Sequence, residues 1–512
     1  MPERCDVAIV GYGPTGQTLA ILLAQRGWRV TVLERWPTRY PMPRAVHFDH
    51  EVARILQAAG VADELREISE SFGCYEWRNA AGETLLRFDL VESSLSGWPD
   101  ASTVHQPDLE RVLDARARAL RGVTVRRGYE VFHVEQRTDS VRVRAQSACG
   151  TVCDVDARWV IGCDGANSFV RRAMQVPVEE MGEFDWLIVD VITREWDWEN
   201  LQLCDPARPT TLVSGGPGRR RFEFMRLSGE SRDSLDDAAT AWRLLEPWGL
   251  TESNTSLERH AVYTFRARWA ESWREGRVLL AGDAAHLLPP FLSQGLGSGL
   301  RDAVTLAWKL DLVLRGRAAV ELLDTYTHER LRHVRSFIEH SLAFGRVIGV
   351  TNPEEAEARD VELAAFTRAG ERGTLTPPVM GPGTSLAGDP NAGELFAQGR
   401  VRTAGREGLF DDVVGRGWVL LSCDGDPAEM LDSEHGALFA SLGGVTAHVG
   451  SGGPIEDLDA RYTRFFERAG VRAVLVRPDF HVFGTAKGAG EVNALIGALA
   501  RELACPTVPY DD

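Results

Sequence analysis

Val7-Ala8-Ile9-Val10-Gly11-Tyr12-Gly13-Pro14-Thr15-Gly16 decides the fold, together with a second apolar run, Val30-Thr31-Val32-Leu33, that ends at Glu34. The first run reads as a buried strand. The turn Gly11-x-Gly13-x-x-Gly16 follows it, and Leu19, Ala20, Leu22 and Leu23 continue as a helix. A strand, a glycine turn, a helix and a second strand tipped by an acid form the fingerprint of a dinucleotide site. Gly11 can take the φ of a tight turn. Gly13 lets backbone approach a pyrophosphate, Pro14 suits the first helical position, and Gly16 lets helix and strand pack closely. The helix N-terminus then offers unpaired N–H groups and a positive dipole end to the phosphates. Glu34 can accept hydrogen bonds from ribose hydroxyls and would repel a 2′-phosphate. The fingerprint alone does not say which dinucleotide is bound.

A chain of 512 residues predicts two or three domains. Apolar content of 44% with 26% charged residues is that of a soluble globular protein. No run approaches the length of a membrane span. The first strand starts within six residues, which leaves no room for a signal peptide and makes a cytoplasmic location the expectation. A net charge of −17 disfavours nucleic acid and anionic membranes as partners. Cys5, Cys74, Cys149, Cys153, Cys163, Cys204, Cys423 and Cys505 form no CxxC, and Cys149-x-x-x-Cys153 has no partner pair at zinc-ligand spacing. They read as reduced packing residues, and no metal site is expected.

The organisation expected is α/β (α+β overall): a Rossmann-type domain, an inserted β-sheet substrate domain and a small C-terminal domain. The first comprises 1–70, 101–175 and 271–350, with a helix near 50–66, a helix starting at His105-Gln106-Pro107-Asp108, and long helices over about 300–347. The second comprises 71–100 and 176–270, mostly strands and turns. Residues 351–405 read as a linker with some helix, and 406–512 as a small α/β domain. Trp159-Val160-Ile161-Gly162 and Val278-Leu279-Leu280-Ala281 are further buried strands, ending at Asp164-Gly165 and Gly282-Asp283. Ligands of open α/β sheets sit at the carboxyl ends of strands. Glu34, Asp164 and Asp283 at three such ends therefore describe one elongated ligand.

These motifs resemble those of the class A flavoprotein aromatic hydroxylases, the p-hydroxybenzoate hydroxylase fold. The resemblance is carried by the glycine turn with Glu34, by Cys163-Asp164-Gly165-Ala166-Asn167-Ser168-x-Val170-Arg171, and by Gly282-Asp283-Ala284-Ala285-His286-x-x-Pro289-Pro290. The last continues into Gln294-Gly295-Leu296-Gly297-Ser298-Gly299-Leu300-Arg301-Asp302. Pro43-Arg44-Ala45, Asp205-Pro206-x-Arg208-Pro209, Arg220-Arg221-Phe222-Glu223-Phe224-Met225 and Leu323-Asp324-Thr325-Tyr326 resemble the 3-(3-hydroxyphenyl)propionate hydroxylase branch. The tail is similar to the thioredoxin-like domain of these enzymes. Without CxxC it is expected to serve packing or dimer contacts rather than redox chemistry.

The resemblance implies FAD as the dinucleotide, NADPH or NADH as a transient co-substrate, and O2. Glu34, with Arg35 beside it, would hold the adenosine ribose. Arg44 would reach the pyrophosphate, along with Gly11, Gly13, Pro14, Thr15 and Gly16. Gln106 would contact the ribityl or ring region. Asp283, after Gly282, would bind the ribityl hydroxyls, while Asp164 and Gly165 would serve the FAD side. Pro290 would lie against the flavin. The helix opened by Gly295, Leu296 and Gly297 would point its N-terminus at the flavin edge that becomes negative on reduction. The implied reaction is hydride transfer to FAD, formation of a C4a-hydroperoxide, and attack of its distal oxygen on a phenolic ring.

Phe222 and Phe224 share one face of their strand and Arg221 and Glu223 the other. The phenylalanines are candidates to face the substrate ring, the alternative being ordinary core. His47 is a candidate relay for the phenolic proton, the alternative being a structural histidine; His286 reads as structural. The run Phe291-Leu292-Ser293, where relatives place small residues near the ring, is expected to put bulk at the flavin. Arg208, Arg219 and Arg220 are the candidates to anchor a substrate carboxylate. Gly215-Gly216-Pro217-Gly218 reads as a hairpin turn, so the nicotinamide cofactor has no Rossmann domain of its own. A Baeyer–Villiger or ring-opening monooxygenase acting on a polyketide-like intermediate, and a non-catalytic FAD-binding protein, are the alternatives. A halogenase is disfavoured because Trp196-Asp197-Trp198 is followed by Glu199-Asn200.

Overall fold

Parallel strands buried on both faces need near-continuous apolar runs, and the chain supplies four. In the computed structural model, which describes residues 2–193, 200–373, 378–450 and 452–504, they lie side by side. Trp196, Trp198 and Cys505 fall outside the described residues. The sheet order is Arg274–Glu275, Val278–Leu280, Val152–Gly162, Glu3–Val10, Val30–Glu34 and Val123–Arg127. Val141–Ser147 and Tyr129–Gln136 extend Val152–Gly162 as an antiparallel pair. Val10 is in register with both Gly162 and Leu33, and Gly162 with Leu280. Four carboxyl ends are thus level, which brings Gly11, Glu34, Cys163 and Gly282 to one edge.

The expected helix near 50–66 is two helices, His50–Ala59 and Ala62–Ile68. Gly60 separates them with φ +83°, the left-handed C-cap that only glycine adopts cheaply. The helix Gln106–Ala119 buries Leu109, Val112, Leu113 and Ala117 on one face.

A second sheet runs His286–Leu287, Ser256–Ala270, Val178–Ile192, Arg219–Met225, Thr210–Ser214, Leu201–Leu203, Cys74–Arg78 and Thr84–Asp89. It draws strands from both 71–100 and 176–270. Two short helices, Arg232–Leu235 and Ala238–Leu245, interrupt what reads in sequence as strands and turns. Gly215–Gly218 is the hairpin turn expected, closed by Gly215 N–H donating to Arg219 O and Arg219 N–H to Gly216 O. A small third sheet pairs His47–Asp49 with Ala101–Val104 and so fixes the segment leading from Arg44.

The helix Pro353–Arg368 continues onto the second sheet, where Thr367 Oγ1 donates to Leu85 O at 2.7 Å. Beyond it, Leu386, Gly393 and Phe396 donate backbone hydrogen bonds to Phe483, Val482 and Phe480. Much of the stretch read as linker is therefore bonded to the tail. The tail sheet has the order Val445–His448, Val419–Ser422, Ala473–Val476, Val482–Ala486, with only the first pair parallel. That 2-1-3-4 order is the thioredoxin-like arrangement. It docks on the long helix Gly295–Leu314, where Trp308 meets Trp418 edge-on and donates to Asp479 Oδ2 at 2.9 Å. Among the described residues no helix is long and apolar enough to cross a membrane.

Candidate active site

One groove with two chambers runs along the level strand ends. The first chamber, about 330 Å³, is lined by Glu34, Arg35, Arg127 and Asp164. The second, about 240 Å³, lies between the second sheet and the loop before Gly295–Leu314, with His47, Pro290 and Leu296 in its wall. Gly13, Pro14, Arg44, Gln106, Gly165 and Asp283 line both, so the chambers are continuous.

The glycines of the fingerprint separate into two kinds. Gly11 has φ +100°, and a Cβ there would stand 2.3 Å from Cys163 O; one at Gly16 would stand 2.4 Å from Gly11 O. These two let helix and strands close up. A Cβ on Gly13, Gly165 or Gly295 would meet no protein atom within 4 Å. All three face the groove, so the room they leave is room for a ligand. Gly282, at φ +62°, packs on Thr15, and Gly297 packs under Arg301 without reaching the groove. Pro14 occupies the first turn of the helix Pro14–Gln25, as its missing N–H allows.

Glu34 is buried at the tip of its strand. Its carboxylate accepts from Tyr12 N–H and Trp36 N–H, both at 2.8 Å, and these bonds aim it across the first chamber. Arg35 is exposed and stacks over Trp36. Arg44 stands over the Tyr40 ring at the junction of the chambers. Gln106 accepts from Ala45 N–H at 2.7 Å and donates to Glu110, which secures the Arg44 segment. Asp283 accepts no side-chain hydrogen bond among the described residues. Burial raises its pKa, and the nearby Arg44 guanidinium works the other way.

Asp164 lines the first chamber and also holds the start of the next helix. Its carboxylate accepts from Ser168 Oγ at 2.5 Å, Phe169 N–H at 2.7 Å and Val170 N–H at 3.1 Å. It satisfies two N–H groups at the start of the helix Phe169–Met174 and borders the groove, with Oδ1 bonded only to Ser168. Gly165 beside it is the open position. Sequence reasoning also passed over Asp302, although it stands in a quoted motif. Asp302 is fully buried, accepts from Gly282 N–H and His286 Nε2 through Oδ2, and takes Arg330 on Oδ1. It fixes the Gly282-Asp283 turn and makes His286 structural, as expected.

The second chamber corrects two expectations. Phe222 and Phe224 do not face it. Both are buried against Leu187, Leu201 and Leu245 on the far side of the sheet, with Trp248 over Phe222. The overlooked helix Ala238–Leu245 covers that side. Arg221 and Glu223 take the chamber side instead. Phe291 also turns away, edge-on to Phe184 and Trp186, so the loop presents Pro290 and Ser293 rather than bulk. Pro290 lines the second chamber.

His47 Nδ1 is buried without a hydrogen-bond partner, and the ring lines the chamber. Burial lowers its pKa below the ordinary 6.5, opposed by Asp49, so the imidazole is held neutral. Arg221 grips Asp190 with Nε and Nη2 at 2.7 and 3.0 Å and donates Nη1 to Arg44 O, which ties the second sheet to the cofactor-side segment. Arg208, Arg219 and Arg220 lie outside the chamber and pair with Glu230, Glu258 and Glu70.

A Rossmann sheet whose groove widens onto a second, mostly antiparallel sheet is the architecture of the flavoprotein monooxygenases that the chain matches. The chain belongs to the family of the FAD binding domain, whose model matches residues 4–341, and residues 393–502 match the HcaD C-terminal domain. It is 38% identical to a probable NADH-specific resorcinol 4-hydroxylase of Rhodococcus jostii (strain RHA1), over 99% of this chain and 96% of that protein. It is 35% identical to a 3-(3-hydroxy-phenyl)propionate/3-hydroxycinnamic acid hydroxylase of Mycolicibacterium gilvum (strain PYR-GCK), over 86% and 79%. Among solved structures, aklavinone-11 hydroxylase with FAD and aklavinone superimposes with a TM-score of 0.78 at 26% identity, over 98% of this chain and all of that one. The flavin-dependent monooxygenase PieE reaches 0.84 at 22% identity, over 98% and 100%, and so supports the fold. The protein is an FAD-dependent aromatic hydroxylase that uses a nicotinamide co-substrate and O2.

Proposed function

We propose that the protein hydroxylates a small single-ring phenol of the resorcinol type, with NADH as reductant. The lining of the second chamber carries this reading: His47, its Nδ1 unpaired, faces the chamber beside Pro290 and can meet a phenolic hydroxyl. The resorcinol hydroxylase relative, matched nearly end to end, supports the same substrate class and NADH.

When bound, FAD supplies the hydride acceptor and activates oxygen. The chain's residues position and shield it. Glu34 would take the adenosine ribose, Arg44 and the N–H groups after Gly13 the pyrophosphate, and Asp283, free to accept, the ribityl hydroxyls. The N-terminus of Gly295–Leu314, a 20-residue helix, would set its positive end and its free N–H groups at the flavin edge. His47, neutral and lacking a partner on Nδ1, can receive a phenolic proton and so raise the electron density of the ring. We further assign the protein to the cytoplasm, a reading supported by the free thiols Cys5, Cys74, Cys149, Cys153, Cys163, Cys204 and Cys423.

The test follows NADH and NADPH oxidation by the purified yellow protein with resorcinol and larger phenols, with product mass. Expected are resorcinol-stimulated NADH oxidation and a product heavier by one oxygen. Stimulation only by multi-ring phenols would overturn the substrate class.

A further inference from the structure

The second chamber contains a carboxylate that the reading above leaves without a task. Glu223 sits on the chamber face of Arg219–Met225, opposite Ile188 on the adjoining strand. It is about nine-tenths buried, at 9% exposed. Its nearest cation, Arg221 Nη1, is 3.9 Å away, and that nitrogen already donates to Arg44 O while the rest of the guanidinium holds Asp190. Among the described residues nothing donates a side-chain hydrogen bond to Glu223. A buried carboxylate in this condition is costly unless a donor reaches it. Burial raises its pKa to about 7, and Asp190 adds to the rise against Arg221 and Arg259.

The cations around the same chamber are engaged. Arg259 donates to Pro43 O and lies 3.9 Å from Asp190, and Arg266 pairs with Glu183 at 2.7 Å. Arg44, at the junction, is the residue assigned to the pyrophosphate. A ligand carboxylate here would meet another carboxyl group and find no uncommitted guanidinium. A ligand hydroxyl would meet an acceptor that lacks a donor. Both considerations favour a neutral polyhydroxylated ring, since leaving a buried polar group unpaired discriminates strongly against ligands that cannot pair it.

We propose that Glu223 pairs with a substrate hydroxyl, and that this pairing makes the chamber select neutral hydroxyarenes over arylalkanoate anions. This rests on the hydroxylase reading above. The test compares wild-type holoenzyme with Glu223→Leu, which removes the acceptor, and Glu223→Gln, which keeps a neutral one of the same shape. Resorcinol and 3-(3-hydroxyphenyl)propionate are the two probes, with NADH. In Glu223→Leu the KM for resorcinol should rise at least tenfold, with Glu223→Gln intermediate. The kcat/KM ratio of resorcinol to the propionate should fall at least thirtyfold in Glu223→Leu, with FAD content and the KM for NADH unchanged. A ratio within twofold of wild type in either FAD-replete variant overturns the proposal. A wild-type enzyme stimulated by neither probe overturns the single-ring substrate class proposed above, an outcome separate from any effect of the variants.

Discussion

Gly11 and Gly13 stand two residues apart, yet a methyl group added to each meets different surroundings. At Gly11 it would have to tolerate φ +100° and a carbonyl oxygen at 2.3 Å. Gly11→Ala is therefore expected to lower stability by roughly 1–3 kcal/mol or more, seen as a lower Tm even in apoprotein. Gly13 has φ −76°, which any residue tolerates, and open space before it. Gly13→Ala should keep the apoprotein Tm and weaken FAD binding at least tenfold; full FAD affinity there would remove the pyrophosphate from this part of the groove. Glu223 gives the corresponding pH argument. With its folded pKa raised to about 7 from an ordinary 4.5, the native state holds a proton that the unfolded chain has released across that window. Stability therefore falls as pH rises from 4.5 to 7 and stays reduced above it. Replacement by Gln should recover up to about 3 kcal/mol at pH 8 and nothing below pH 4.5. Thermal melting of both proteins at pH 8 and at the acid end checks this, and equal Tm differences at the two pH values would contradict it.

At the scale of elements, what the sequence disclosed follows from how each pattern is generated. The Rossmann strands and Gln106–Ala119 were legible because apolar runs and a 3.6-residue stripe have one reading each. Gly60 after Ala58-Ala59 is a C-cap signal that could have split the helix at 50–66. The strand Arg219–Met225 could not be oriented from its own residues. Arg221, Phe222, Glu223 and Phe224 are all buried, so alternation gives two faces and no sign of which is core. That sign comes from Ala238–Leu245, a helix absent from the expectation. The task of Asp164 was likewise hidden, because an acid at a strand end and an acid capping the next helix look alike in sequence. Contacts between distant elements were the least visible. Arg54 on His50–Ala59 grips Asp411 through two bonds of 2.8 and 2.9 Å, across 357 residues. Both side chains are 4% exposed. Arg54→Ala should cost about 3–5 kcal/mol by leaving Asp411 buried and unpaired, whereas Arg54→Leu with Asp411→Leu should recover much of the loss. A single variant that melts like wild type would show that the pair does not hold the tail.

For the whole molecule, the tail is packed against the cofactor half, and the proposal that it serves packing rather than redox chemistry can be tested. Cys423 is a free, half-buried thiol, and no second cysteine follows at CxxC spacing in Ser422-Cys423-Asp424. Dithiol exchange needs a resolving thiol. The packing evidence lies elsewhere. Arg477 of the tail holds Glu329 at 2.7 Å, Glu329 holds Lys309 at 3.0 Å, and Lys309 belongs to the helix whose other end lies at the groove. Burial lowers Lys309 to about 8 even with Glu329 beside it, so this cluster is suited only to an interior. Cys423→Ser should therefore retain NADH-dependent hydroxylation within twofold of wild type. A chain ended at residue 392 would strip Asp479 from Trp308 and Arg477 from Glu329, and would uncover a face of Gly295–Leu314 that carries a tryptophan and a lysine meant to be dry. It should lose FAD and aggregate, read as flavin absorbance and sedimentation of the purified protein. A truncated chain that remains monodisperse, yellow and active would show that the first two sheets and their helices stand alone.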